Sequence, residues 1–447
     1  MKSSLSCAYA LGGINFKNGY ATSCPQQTDV LHNLKESSYL PSEFFNSPNF
    51  KKHRLDLLRG KWPTGCDMCQ HVEEQGAGQS MRQELPADFT YVNENTGEVD
   101  LKGLKTVEIR FSHSCNMACL HCSEVFSSNW TNILNNYEPD QKDYDYNLIQ
   151  LTRKFHRKSD DDDFTISISK KQAIDIAEDL NKNFPNLQRV DFTGGEVLYQ
   201  KQFLPTLEKL SEHPNAKNIK IMFYTNFNIR NINFENLYYA LKKFHKSSIH
   251  LSIDSGTNIY PYFRSGDWEL LKNNIQELQS YIDKKTDNID INCVCTTSVY
   301  QMMDIENIVE SLLSLKCKEI NFSIVYTPAY LNPALIRLHF EDQLKLDLEK
   351  VRKIIKKEYK YREENFEKCK KYLSYIKGMW VDLVTLEKSL QNLELYIYNN
   401  SIESTDWDSF KEYTKKVKKI WQKDFNDFFE KYKLEDDQMI RIENVQE

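Results

Sequence analysis

Six short apolar runs with strand character alternate with helical segments between Leu104 and Val325, and this alternation limits the fold more than any other feature. Val107, Ile109 and Phe111 mark one face of the first strand, and Leu187 to Phe192, Ile219–Tyr224, Ile249–Ile253, Ile289–Val294 and Ile320–Val325 follow it. Ala173, Ile174, Ile176, Ala177 and Leu180 have helical spacing, as do segments near Gln202–Leu210, Phe234–Phe244, Trp268–Ile282 and Ile305–Leu315. The expected fold is therefore α/β, a parallel sheet with right-handed crossovers, open or curled into a partial barrel. In such sheets chemistry gathers at the carboxyl ends of the strands. The 447 residues leave room for more than this core. Residues 1–85 form a cysteine-rich module, 100–333 the α/β core, and 334–447 a helical region of balanced charge. The run Asp160 to Asp163 reads as a solvated loop, because like charges repel and stay hydrated.

A net charge of −6 argues against a nucleic-acid partner held by bulk charge. No run approaches the length of a membrane span, and Met1 to Ala10 lacks a sustained apolar stretch, so a cytoplasmic protein is expected. In that reducing setting the eleven cysteines are not a disulfide framework; clustered ones read as metal ligands or reactive thiols. Cys115, Cys119 and Cys122 make a C-x3-C-x2-C run directly after the first strand. Three thiolates so spaced can grip three corners of a cubane iron–sulfur cluster and leave one iron open. A zinc site completed by His113 or His121, or simple packing, are the alternatives. Asp191-Phe192-Thr193-Gly194-Gly195-Glu196 follows the next strand at the same end of the sheet. Two glycines there let backbone approach a ligand, and the carboxylate can hold an ammonium group.

These residues resemble the radical S-adenosylmethionine (SAM) superfamily. The resemblance implies a partial (β/α)6 barrel, a [4Fe–4S] cluster on Cys115, Cys119 and Cys122, and S-adenosyl-L-methionine chelating the open iron. It also implies one-electron cleavage of SAM and hydrogen abstraction from a substrate, with a reductase such as flavodoxin or ferredoxin as electron donor. His121 stands where the family usually has an aromatic residue. Tyr224-Thr225-Asn226 and Leu251-Ser252-Ile253-Asp254 match family positions after the third and fourth strands, and Arg264 lies where relatives place a carboxylate-binding arginine. The implied SAM-site residues are thus His121, Thr193, Gly194, Gly195, Glu196, Asn226, Ser252, Asp254 and Arg264.

A second group lies upstream. Cys66-x2-Cys69 follows Pro63 and Gly65, which force a turn. Cys7 and Cys24 flank a stretch, Gly12 to Tyr20, with the hairpin signal Lys17-Asn18-Gly19, which brings the two cysteines together. Four cysteines in two such pairs suit either a zinc site or a second [4Fe–4S] cluster. The spacing, together with Arg54, Glu73, Gly76, Ser80 and Arg82, resembles twitch-domain radical SAM proteins. The twitch and related SPASM modules hold an auxiliary [4Fe–4S] cluster, and the resemblance implies a peptide or protein substrate. A nucleotide or a carbohydrate-derived molecule is the alternative within the class, and a non-catalytic zinc or iron–sulfur module the alternative outside it. Cys293, Cys295, Cys317 and Cys369 read as packing cysteines, and Tyr224 and Tyr326 as packing tyrosines. Nothing in the sequence names a catalytic side chain or the product.

Overall fold

A computed structural model describes residues 5–17, 19–35, 37–74, 80–135, 166–256, 259–283, 286–326, 329–369, 382–400 and 403–421. The acidic run at 160–163, Asn18 of the hairpin turn and Gly76 lie outside the described residues. The strands are β1 (Gly13–Lys17), β2 (Tyr20–Thr22), β3 (His32–Asn33), β4 (Thr106–Arg110), β5 (Arg189–Thr193), β6 (Lys220–Thr225), β7 (Lys246–Ser252), β8 (Ile289–Thr297) and β9 (Ile320–Ile324). The helices used below are α1 (Ala8–Gly12), α2 (Pro48–Leu58), α3 (Asp67–Glu74), α4 (Ser128–Asn135), α5 (Lys170–Asn183), α6 (Phe203–Leu210), α7 (Phe234–Leu241), α8 (Tyr260–Arg264) and α9 (Trp268–Tyr281). They continue with α10 (Ile305–Ser314), α11 (Arg337–Cys369), α12 (Leu383–Asn399) and α13 (Ser404–Trp421).

All six expected strands form. β4 through β9 are adjacent in chain order and pair in parallel, the mostly parallel α/β arrangement of a partial barrel. Each strand shows only one apolar face. In β7, Ser247, Ile249 and Leu251 are buried, while Ser248, His250 and Ser252 are half-buried on the other face. The apolar faces lie under helices whose starts are capped: Ser169 and Gln172 form a capping box on α5, and Asp267 accepts from the first turn of α9. β7 begins three residues before its apolar run, because Ser247 is buried with its hydroxyl donating to the carbonyl of Leu241 at 2.9 Å.

The sheet has nine strands rather than six. The hairpin forms as β1 and β2, with Gly19 at φ +77° in its turn, and β3 extends it. β1 also pairs in parallel with β4, with Asn15 opposite Glu108 and Phe16 opposite Ile109. The cysteine-rich module is thus bonded into the barrel sheet. One apolar core runs from Phe16, Phe44 and Phe50 through Ile109, Phe192 and Leu251 to Leu386 and Phe410 of the C-terminal helices. Among the described residues no helix is long and apolar enough to cross a membrane.

Candidate active site

The loop after β4 carries Cys115, Cys119 and Cys122 without regular structure, so other segments must satisfy its backbone. Ser128 Oγ accepts from the Cys115 amide at 3.1 Å, Ser265 Oγ from the Ala118 amide at 2.9 Å, and the Phe263 carbonyl from the Leu120 amide at 2.8 Å. Trp130 Nε1 donates to the Cys119 carbonyl at 2.9 Å, and Tyr413 Oη to the Leu120 carbonyl at 2.6 Å. Ser265 takes φ 52°, an uncommon backbone for a residue with a side chain, directly after Arg264.

The three thiols line one cavity of about 210 Å³ with His121, Phe126, Gly194, Gly195, Glu196, Tyr224, Asn226, Ser252 and Arg264. Strand ends β4 to β7 therefore converge as the sequence leads one to expect. Two expected residues stand apart from the lining. Thr193 turns its hydroxyl to Glu108 Oε1 at 2.7 Å. Asp254 is fully buried behind the wall, accepting from Arg264 Nη1 at 2.6 Å and the Thr296 amide at 2.7 Å, with His121 Nε2 at 3.3 Å. It positions Arg264 and His121. Burial alone disfavours the Arg264 cation, but Asp254 and Cys119 raise its pKa well above the ordinary value. Burial pulls His121 below its ordinary pKa against the pull of Asp254.

Glu196 is the tie between β5 and β6. Its Oε1 accepts from the Leu198 amide at 2.9 Å and Thr225 Oγ1 at 2.5 Å, and its Oε2 from the Asn226 amide at 2.5 Å. Burial still raises its pKa, opposed by these donors. The two glycines before it serve the protein's own packing. A side-chain carbon on Gly195 would overlap the Ser114 carbonyl oxygen, and Gly194 has φ +116°. Their lack of side chains lets the Gly195 and Glu196 amides donate to the Ser112 and Ser114 carbonyls in the cysteine loop. Asn226 Nδ2 reaches Asn116 Oδ1 at 2.9 Å and faces Cys115 Sγ at 4.0 Å. Tyr224 is a lining residue rather than packing: it is 39% exposed and its ring lies 5.0 Å from that of His250. Its strand position, at the carboxyl end and on the Ser252 face, was the signal available for it.

Cys7, Cys24, Cys66 and Cys69 line a second, tighter cavity of about 30 Å³ with Ser23, His53, Trp62 and Met81. Arg82 ion-pairs with Glu73 of α3 while donating from Nη1 to the Ser6 carbonyl at 2.9 Å, which fastens the Cys7 segment to the helix bearing Cys69. Arg54, fully buried, binds the carbonyls of Ala10 and Phe45 at 3.1 and 2.8 Å and so fixes α1 against α2. Among the described residues no three His, Cys, Asp or Glu side chains are grouped closely enough to hold a single metal ion. Burial pushes the Cys115 and Cys24 thiols up to about 12 and Cys122 up to about 11. Metal uptake at either place would release those protons. Cys293, Cys295 and Cys317 are buried; the side chain of Cys369 is outside the described residues.

A parallel sheet thus presents three loop thiols beside a glycine–glycine–glutamate turn at the carboxyl ends of its strands. Residues 109–291, from within β4 into β8, match the sequence model of the Radical SAM superfamily. No curated protein matches significantly. Among solved structures, native anSMEcpe with bound AdoMet is similar at 16% identity and TM-score 0.35, over 59% of this chain and 61% of that one. Streptococcus suis SuiB bound to S-adenosylmethionine is similar at 14% identity and TM-score 0.33, over 58% and 45%. The same protein bound to precursor peptide SuiA gives 14% and 0.32, over 78% and 69%. The chain spans 60% of the length of a tagged form of anSMEcpe that it also matches. Likenesses this low carry no argument about function.

Proposed function

We propose that this chain is a radical SAM enzyme with two [4Fe–4S] clusters that abstracts a hydrogen atom from a peptide or protein side chain. The observation that carries the reading is the convergence of the three loop thiols with Glu196, Asn226, Ser252 and Arg264 on one cavity. The donor chemistry fits: three thiols leave a cubane one open iron, and an acid and a guanidinium face it for the amino and carboxylate groups of SAM. When bound, the cluster and SAM supply a one-electron cleavage of the sulfonium that leaves a carbon radical, the electron coming from a flavodoxin- or ferredoxin-type donor. Asp254 keeps the guanidinium of Arg264 in place, Glu196 fixes the β5 and β6 ends, and Phe126 and Tyr224 wall the cavity. Four cysteines around one space support an auxiliary cluster without a vacant iron. The peptide or protein substrate rests on the resemblance of that cysteine module to twitch and SPASM proteins.

Anaerobic reconstitution tests the reading: about eight irons per chain and 5′-deoxyadenosine on reduction with SAM are expected. Replacing Cys66 and Cys69 together by Ala removes about four of those irons and leaves SAM cleavage without substrate intact. About one zinc and four irons in protein purified without oxygen would instead make the second site structural.

A further inference from the structure

Arg110, the last residue of β4, closes no ion pair among the described residues. Its Nε is buried and makes no hydrogen bond, and its guanidinium lies 5.0 Å from the centre of the Phe126 ring. Phe126 lines the SAM cavity, and so does Gly194, where a side-chain carbon would stand 2.8 Å from Arg110 Cγ. The cation therefore sits at the edge of the reacting space. Lys17 is its neighbour on β1, one step beyond the paired residues Phe16 and Ile109 and on the face of Asn15 and Glu108. Adjacent strands lie about 4.8 Å apart, so two cations share one patch of the inner wall. Among the described residues the Lys17 ammonium donates to the Gln27 carbonyl at 3.0 Å and to no acid.

The surroundings do not neutralise the pair. Among the described residues Glu108 is the one acid that bears on both, and it also accepts from Thr193 Oγ1 at 2.7 Å. Arg189 and Asp191 on the next strand close on each other at 2.8 Å. Cys24 is the remaining titratable group near Lys17; burial keeps its thiol protonated, and an auxiliary cluster would take up its charge once bound. Burial, then Arg110, drives Lys17 down to about 8. Two cations on an inner wall with one acid between them form a site for an oxyanion, and a guanidinium fork beside an ammonium suits a carboxylate or a phosphate.

We propose that Arg110 and Lys17 form the substrate's anion subsite, where a carboxylate or phosphate of the substrate docks and brings its neighbouring carbon to the SAM cavity. The inference rests on the radical SAM reading and deepens it by naming a substrate charge. On this geometry the bound group would lie between the cavity of the loop cysteines and that of Cys24. It would orient the substrate, one of the things the protein supplies where a cofactor carries the hard chemistry.

The test is calorimetric titration of the full chain, purified without oxygen, with N-acetylglycine, inorganic phosphate and N-acetylglycinamide at matched ionic strength. At least one of the two anions binds and the neutral amide does not, and the tighter anion names the source of the charge. Arg110→Gln and Lys17→Gln each weaken the anion about tenfold or more, the scale of losing one charge-assisted bond, and Arg110→Lys less. SAM affinity stays within about twofold in Lys17→Gln. Equal binding of the amide, no binding of either anion, or wild-type anion affinity in both Lys17→Gln and Arg110→Gln overturns the proposal. So does a fall in SAM affinity in place of anion affinity, or a loss of auxiliary iron in Lys17→Gln, which would assign the ammonium to the cluster. Should Arg110→Gln fail to fold, Lys17→Gln decides alone. Failure of the wild type to cleave SAM would strike the enzyme reading; lost anion selectivity with cleavage intact strikes only the subsite.

Discussion

Glu196 shows how one side chain carries both fold and site. The sequence suggests a carboxylate waiting for an ammonium; the structure gives it three donors from Leu198, Thr225 and Asn226. Glu196→Ala should thus weaken SAM binding by about 1.5–3 kcal/mol and also lower stability by about 1–3 kcal/mol, because buried donors lose their acceptor. Melting and SAM titration on the same sample separate the two effects, and an unchanged melting temperature would contradict the tie. His250, on the inner face of β7, gives a pH prediction. Burial, then Arg189, lowers its pKa to about 4, below the unfolded value of about 6.5. Between those values the unfolded chain binds more protons, so this residue's contribution is whole above about pH 6.5 and is lost as pH falls towards 4. His250→Gln should lose less stability than wild type between pH 7 and pH 5. Parallel melting curves at the two pH values check it.

At the scale of elements, the alternating pattern of Leu104 to Val325 made the six parallel strands legible, since period-two burial under helices leaves a strong signal in each strand. β1 pairing with β4 was not legible. A parallel contact between strands about ninety residues apart follows from no local pattern, and the hairpin signal concerns only its antiparallel partner. The site divides in the same way. Cysteine and glycine spacing marked the loops and the strand-end position marked Tyr224, whereas Arg110 and Lys17 end ordinary strand runs where nothing local distinguishes a site residue from a solvated charge. The packing role of Gly195 yields its own prediction. Gly195→Ala drives a methyl into a backbone oxygen of the cysteine loop, with no flexible side chain to yield. A cost of about 3 kcal/mol or more is expected, with loss of the SAM-site iron and retention of the auxiliary iron. Iron analysis at full occupancy of both sites would refute it.

For the molecule as a whole, the C-terminal helices complete the sheet. β9 ends the nine-strand order, and α12 covers it with Leu386, Leu393 and Ile397 buried. Ser389 Oγ accepts from the Phe322 amide at 2.8 Å, and the Asp382 amide donates to the Lys318 carbonyl at 2.6 Å. A chain stopped after Pro333 should expose that edge and self-associate. Sedimentation would show it as aggregate, and a soluble monomer with normal iron content would show the tail to be dispensable. The hydroxyl of Tyr413 carries the same dependence into the cysteine loop, where it holds the carbonyl of Leu120 across 293 residues of sequence. Translation delivers the loop long before it delivers α13. The thiols of Cys119 and Cys122 leave the ribosome while one of the loop's fasteners is still unmade, so the loop takes its final shape only after α13 has been made. A group held by that loop would then be seated late in the order of folding.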